Sequence, residues 1–183
     1  MRLYRVLPWV EKARVGQPGH PLYVPDRQVA GRLDNPARYS VLYIADTPEA
    51  AIAEAFGSFS IWSPALLKGP PTLPGAIIAL IEYLVSDDEP ILNLDEGQAL
   101  VDWELRPSRV VTRDRAVTQA WALRIYQSGR FAGIRWWSYY NPEWGAFGLW
   151  DLARVAPERV VPLIEDSDVL QRARATLMRG WKG

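Results

Sequence analysis

The stretch AGRLDNPARYSVLYIADTPEAAIAEAFG, residues 30–57, decides how the rest of the chain is read. It passes from a turn rich in Gly, Asp, Asn and Pro, through a β-branched and aromatic run, into an alanine-rich helix. In SVLYIA, Tyr43 alternates with Leu42 and Ile44, so a strand shows Tyr43 to the opposite side of a sheet. Thr47 stands where an N-cap belongs, with Pro48 at the first helical position and Glu49 near the positive end of the helix dipole. The predicted helix runs through EAAIAEAF and stops near Gly57.

Working outward, LYRVL near the start predicts a first strand, and VGQPGHPLYVPD a Gly/Pro-rich loop. Downstream, AIIALIEYLV and ILNL read as strands, EGQALVDW as a short helix and RVVT as a further strand. DRAVTQAWALRIYQSG reads as a helix, with Val117, Trp121, Leu123 and Ile125 at roughly helical spacing and Gly129 as its stop. AGIRWWS, AFGLWD and ARVAPERVVPLI follow as strands, and the basic SDVLQRARATLMRG as a last helix. Strands and helices alternate irregularly. The pattern therefore predicts one α+β domain over residues 1–183, with a mixed, largely antiparallel sheet and flanking helices.

Composition excludes several chemistries. The chain has 21 basic and 21 acidic residues, so its net charge of zero argues against affinity built on nucleic-acid phosphates. A small phosphorylated ligand needs only one or two placed arginines and stays open. With no cysteine there is no thiol nucleophile or zinc–thiolate site, and one histidine, His20 between Gly19 and Pro21, suits a turn. The acidic groups SDDE and EDSD read as solvated charge, so no metal is expected. No phosphate-cradling glycine motif occurs. No apolar run is long enough for a signal peptide or a membrane span, so a cytoplasmic protein is expected. Nine tryptophans and eight tyrosines are many for this length, and they crowd into IRWWSYYNPEWGAFGLW. They fill a core or form an interface, and a homo-oligomer is compatible with either.

What remains is a set of polar residues. Arg32 lies in AGRLDNP as a surface ion-pair partner or as a fork for a phosphate. Glu54 projects away from the apolar face of Ile52, Phe56 and Phe59, together with Ala50, Ala53 and Gly57. Such small neighbours fit plain exposure, or let a ligand or another element come close. Tyr43 fills a second core layer or lines a cleft, and Ser138 ends a strand as a turn-former or a rim residue.

The blocks YRV, GRLDNPARYSVLYIADTPEAAIAEAF and GRFAGIRWWSYYNPEWGAFGLWD resemble the RES domain, named for an arginine, a glutamate and a serine, over residues 3–151. The resemblance places the arginine on Arg32, the tyrosine on Tyr43, the glutamate on Glu54 and the serine on Ser138, with Arg5 as a further N-terminal arginine. Trp137 stands before the serine, where the family typically has Pro-Ser or a basic residue. Residues 152–183, read as a strand and a helix, have little counterpart.

The resemblance implies a fold similar to ADP-ribosyltransferases such as diphtheria toxin. It implies a toxin that cleaves the nicotinamide–ribose bond of NAD, transferring the ADP-ribosyl group to water or to inorganic phosphate as co-substrate. It implies neutralisation by an Xre-like helix-turn-helix antitoxin, with no cofactor beyond NAD as substrate. On this reading Glu54 stabilises an oxocarbenium-like ribose, and Arg32 with Arg5 grips the pyrophosphate. Tyr43 and Trp137 offer ring faces, and Ser138 offers a hydroxyl to a sugar or amide. Arg5, Arg38 and Arg135 are candidates for a second anion pocket. A mono-ADP-ribosyltransferase and a catalytically inactive partner-binding domain are the alternatives.

Overall fold

The computed structural model describes residues 1–164 and 167–183. Strands are β1 (Arg2–Trp9), β2 (Leu42–Ala45), β3 (Ile61–Trp62), β4 (Ile77–Val85), β5 (Ile91–Asn93), β6 (Gly133–Trp137), β7 (Gly145–Leu149), β8 (Val155–Pro162) and β9 (Gly180–Trp181). Helices are α1 (Pro48–Phe56), α2 (Gly97–Asp102), α3 (Pro107–Val110), α4 (Arg115–Gln127) and α5 (Asp168–Thr176). Seven strands form one sheet in the order β5-β6-β7-β2-β1-β4-β8, in which β5–β6 is parallel and the other pairs are antiparallel. The expected α+β fold with a mixed, largely antiparallel sheet is the one found. No helix among the described residues is long and apolar enough to cross a membrane.

Register and pleat divide the sheet into two faces. Tyr4 lies opposite Ala45, Ala45 opposite Ala146, and Ala146 opposite Trp136, so these four share a face. On that face α1 and α5 pack at one end over Ala45, Ile78 and Leu80. Trp121 and Ile125 of α4 pack at the other end, with Ile134, Trp136 and Ala146. The opposite face buries Leu3, Leu7, Leu42, Ile44, Ile81, Tyr83 and Phe147 beneath Leu22 and Val24 of the N-terminal loop. Two helical packs standing on one face leave a gap between them. Within that gap β1 and β2 pair only at Tyr4 and Ala45, so the sheet itself opens.

Local chemistry explains the element that borders the gap. Thr47 Oγ1 accepts the Ala50 amide at 3.1 Å and caps α1, whose first helical residue is Pro48. The Gly57 amide donates to the Ala53 carbonyl at 2.7 Å and closes the helix. At the other pack Gly129, with φ of +64°, follows the end of α4, as a left-handed terminator does.

Three elements differ from expectation. RVVT is not a strand: Pro107 initiates a helical turn, α3, that ends at Val110. The short parallel pair β3–β9 carries no sequence signal, because two residues per strand are too few for a period to show. The predicted apolar face of α1 ends with Phe56, and Phe59 lies past the helix, 47% exposed. His20 serves a turn: its Nδ1 accepts the Leu22 amide at 3.1 Å. Of the acidic groups, Asp87 pairs with the N-terminal amine at 2.5 Å, whereas Glu165 and Asp166 of EDSD lie outside the described residues. No cluster of metal-ligating side chains occurs among the described residues.

Candidate active site

The gap is a cleft of about 310 Å³. Its walls include Gly31 and Arg32 from the turn before β2, Tyr43, Ile44 and Ala45 from β2, and Ala51, Glu54 and Ala55 from α1. Arg115 from α4, Trp136 from β6 and Tyr139 from the β6–β7 loop complete it, with Arg5 at the opening between β1 and β2. The lining sets Arg5, Arg32 and Arg115 against the single carboxylate of Glu54. A chain of zero net charge thus concentrates positive charge in its cleft, which favours an anionic ligand.

Glu54 stands at the cleft wall with one side open to solvent and protein packed around the rest. The Ser138 hydroxyl donates to Glu54 Oε1 at 2.6 Å, and Ser138 itself is buried behind the carboxylate. Burial raises the Glu54 pKa, opposed by the Ser138 hydrogen bond and by the charges of Arg32 and Arg115. A carboxylate partly stripped of water, whose ionised form one hydroxyl and two cations favour against that burial, is suited to stabilising positive charge that develops in front of it. The small residues of α1 that line the cleft beside it are Ala51, one turn before Glu54, and Ala55, the next residue. Ala50 and Ala53, expected on that side, are fully buried, because α1 is sandwiched between the sheet and α5.

Arg32 is placed by a buried clamp. The Gly31 amide donates to Asp34 Oδ2 at 2.6 Å, and the Tyr43 hydroxyl donates to Asp34 Oδ1 at 2.6 Å. The Leu33 amide donates in turn to the Tyr43 oxygen at 2.9 Å. Asp34, buried at 4% exposure, thereby locks the turn onto β2. A Cβ at Gly31 would meet the Tyr43 hydroxyl at 2.4 Å and Asp34 Oδ1 at 2.5 Å, so only glycine fits. Arg32 Nη1 donates to the Val110 carbonyl and, at 3.0 Å, to the Thr112 carbonyl at the end of α3. Burial and the neighbouring Arg115 lower the Arg32 pKa to about 10, still well above neutrality, so the guanidinium stays charged.

The structure thus brings Arg32, Tyr43 and Glu54 to one cleft, with Ser138 bonded to Glu54. Tyr43 offers the cleft its ring only, since its hydroxyl is committed to Asp34 and Leu33; burial, first, and the bond to Asp34 push its pKa upward. Trp137 is not among the cleft-lining residues. Trp137, at the end of β6, packs against the core cluster that α4 covers, and Trp136 presents its ring instead, edge-on to Tyr43 at 6.4 Å. Arg5 lines the opening, but its guanidinium donates to the Tyr23 carbonyl at 3.1 Å on the reverse face, where burial lowers its pKa. Arg135 is held by Asp46 and Asp95, and Arg38 is exposed outside the cleft lining. Asp34, Arg115 and Trp136 carry no role in the sequence reading. Arg115 alone leaves a legible trace, as a cation at a helix N-terminus where the dipole disfavours it.

The solved structure of the Mycobacterium tuberculosis MbcT–MbcA toxin–antitoxin complex contains a similar chain, with a TM-score of 0.63 and 17% identity. The match covers 95% of this chain and 88% of that one. At that identity the likeness concerns the fold. The sequence matches none of the curated proteins with which it was compared. The family model of the RES domain matches residues 2–171, nearly the whole chain and the segment that holds every residue of the cleft. This chain belongs to the RES domain family.

Proposed function

We propose that this protein is a toxin that consumes NAD by cleaving its nicotinamide–ribose bond. The observation that carries the reading is the Ser138-bonded Glu54 carboxylate standing in the same cleft as Arg32. Cleavage separates nicotinamide with the bonding electron pair and leaves an oxocarbenium-like ribose. Neutral nicotinamide is a good leaving group, so no strong general acid is needed, and the lining includes none. Glu54 faces the developing positive charge, and Arg32 holds the diphosphate so that the ribose carbon lies before the carboxylate. The rings of Tyr43 and Trp136 border the space for nicotinamide or ribose. A cleft of about 310 Å³ is at the lower end of small-molecule sites, which span about 300–1,000 Å³. It takes the reacting half of a dinucleotide and leaves the adenosine toward the mouth.

Water as acceptor makes the protein an NAD glycohydrolase, and inorganic phosphate makes it an NAD phosphorylase. An Xre-like antitoxin covers the toxin in the cell, a reading supported by family membership and by the toxin–antitoxin character of the similar MbcT–MbcA structure. The test is NAD loss by purified protein with and without phosphate, resolving products by mass, beside Glu54→Gln. Free nicotinamide from the wild type, and its near-absence with E54Q, is the expected result. An unaltered rate in E54Q sinks the role given to Glu54, and no NAD loss in either buffer overturns the assignment.

A further inference from the structure

Arg115 is the first residue of α4, next to the N-cap Asp114, whose side chain is occupied with the Ala116 and Val117 amides at 3.0 and 3.4 Å. A cation there opposes the helix dipole. It also faces a like charge: Arg115 is near enough to Arg32 to lower that residue's pKa. Neither arginine joins a salt bridge among the described residues. Arg115 Nη1 is shielded from solvent and has no hydrogen-bond partner among the described residues. Leaving a charged donor in that state is costly. Three unfavourable features at one side chain mark a position kept for something other than stability.

The surroundings hold this guanidinium rather than let it swing away. Arg115 Nε donates to the Ala30 carbonyl at 3.0 Å, and Gln119, one turn on, donates to the Val29 and Gly31 carbonyls at 3.2 and 3.0 Å. The first turns of α4 therefore grip the segment that carries Arg32. Each guanidinium is anchored by backbone carbonyls, and both line the cleft that holds Glu54. We infer that Arg115 and Arg32 form a two-guanidinium seat for a diphosphate, each taking one phosphoryl group of the substrate. The seat rests on the reading of the cleft as an NAD site and assigns the diphosphate to Arg115 in place of Arg5. Arg5 anchors the N-terminal loop through Tyr23.

The experiment compares wild type with Arg115→Gln in ADP-ribose binding by calorimetry and in steady-state cleavage of NAD and of nicotinamide riboside, which lacks the diphosphate. Expected for R115Q is an ADP-ribose Kd and an NAD KM raised about tenfold or more, as for loss of a bond to a charged group, with kcat little changed. Nicotinamide riboside cleavage, compared at high pH where losing the Arg115 charge beside Glu54 matters least, falls far less than NAD cleavage. Should R115Q fail to fold, Arg115→Lys carries the test: it keeps the charge, loses the fork and still raises the NAD KM. An NAD KM and ADP-ribose Kd equal to wild type in a folded variant overturn the seat. Arg115-dependent binding of ADP-ribose by a protein that cleaves no NAD preserves the seat and overturns the proposed reaction instead.

Discussion

Ser138→Ala tests whether the serine works on Glu54 or on the substrate. The bond it removes is short, 2.6 Å, and ends on an ionised oxygen. Hydrogen bonds to charged groups contribute about 1.5–3 kcal/mol. Glu54 is open to solvent on one side, so screening argues for the lower bound, about 1.5 kcal/mol. That energy favours the ionised form, against burial, which favours the protonated one. At about 1.4 kcal/mol per tenfold, its loss shifts the ionisation equilibrium about tenfold toward the acid. The acid limb of the kcat/KM profile for NAD therefore moves about one pH unit upward in S138A. The plateau at higher pH, where the carboxyl is ionised in both proteins, changes little. Carbon NMR of labelled Glu54 carboxyl reports the same displacement without turnover. A rate lowered equally at every pH, with the acid limb unmoved, refutes the reasoning and makes Ser138 a residue that touches substrate.

Tyr43→Phe removes the hydroxyl that joins Asp34 to the Leu33 amide and leaves a buried carboxylate one bond short, at a cost of about 1.5–3 kcal/mol. A Tm lower by several degrees, at about 2–4 °C per kcal/mol, and a raised NAD KM are expected by calorimetry and kinetics. Gly31→Ala strikes the same clamp sterically and lowers Tm as well. Glu54→Gln does the opposite. Burial holds the folded Glu54 pKa above that of the unfolded chain, so the cost of the charge is fully present above the folded pKa and fades as pH falls to the ordinary carboxylate range. Melting curves at pH 8 show E54Q no less stable than wild type, and any advantage shrinks toward pH 4; a large loss of Tm at pH 8 contradicts this.

Much of the cleft is legible because its parts are close in sequence. A glycine-bearing turn, a strand and a capped helix follow one another over residues 31–56, and consecutive elements pack together, so Arg32, Tyr43 and Glu54 converge. What local pattern does not supply is which face is which. Alternation says that Trp136 and Trp137 point oppositely, but only the pairing of Trp136 with Ala146, and Ala146 with Ala45, tells which of them faces α1. The helix period separates Ala50 from Ile52 but does not reveal that α5 buries the Ala50 side too. RVVT looks like a strand by composition, yet Pro107 before it starts a helical turn that takes in Arg109 and Val110, and the Arg32 side chain bonds the Val110 and Thr112 carbonyls that a strand would pair. Arg115 reaches the site from the far end of the sheet, so its role is a product of tertiary packing.

The same logic gives residues 152–183 a place. The family model runs on to residue 171, and from this segment α5 and β9 pack around the helix that carries Glu54. Leu170 and Ala173 of α5 are buried against Ile52 and Phe56 of α1. Arg172 pairs with Glu49 at 2.7 Å in the first turn of that helix, and Arg179 Nη2 donates to the Gly57 carbonyl at 2.7 Å beyond its last turn. β9 then closes on β3, just after the helix ends. A nine-residue helix is too short to hold its own conformation in water, where about 12–15 residues are marginal. The carboxylate on α1 is therefore only as well placed as the two surfaces that clamp the helix. The sheet supplies one and the C-terminal segment the other. Arg172 of α5 and Arg179 beyond its end are accordingly fixtures of the site's scaffold, spent on the two ends of the helix that carries Glu54.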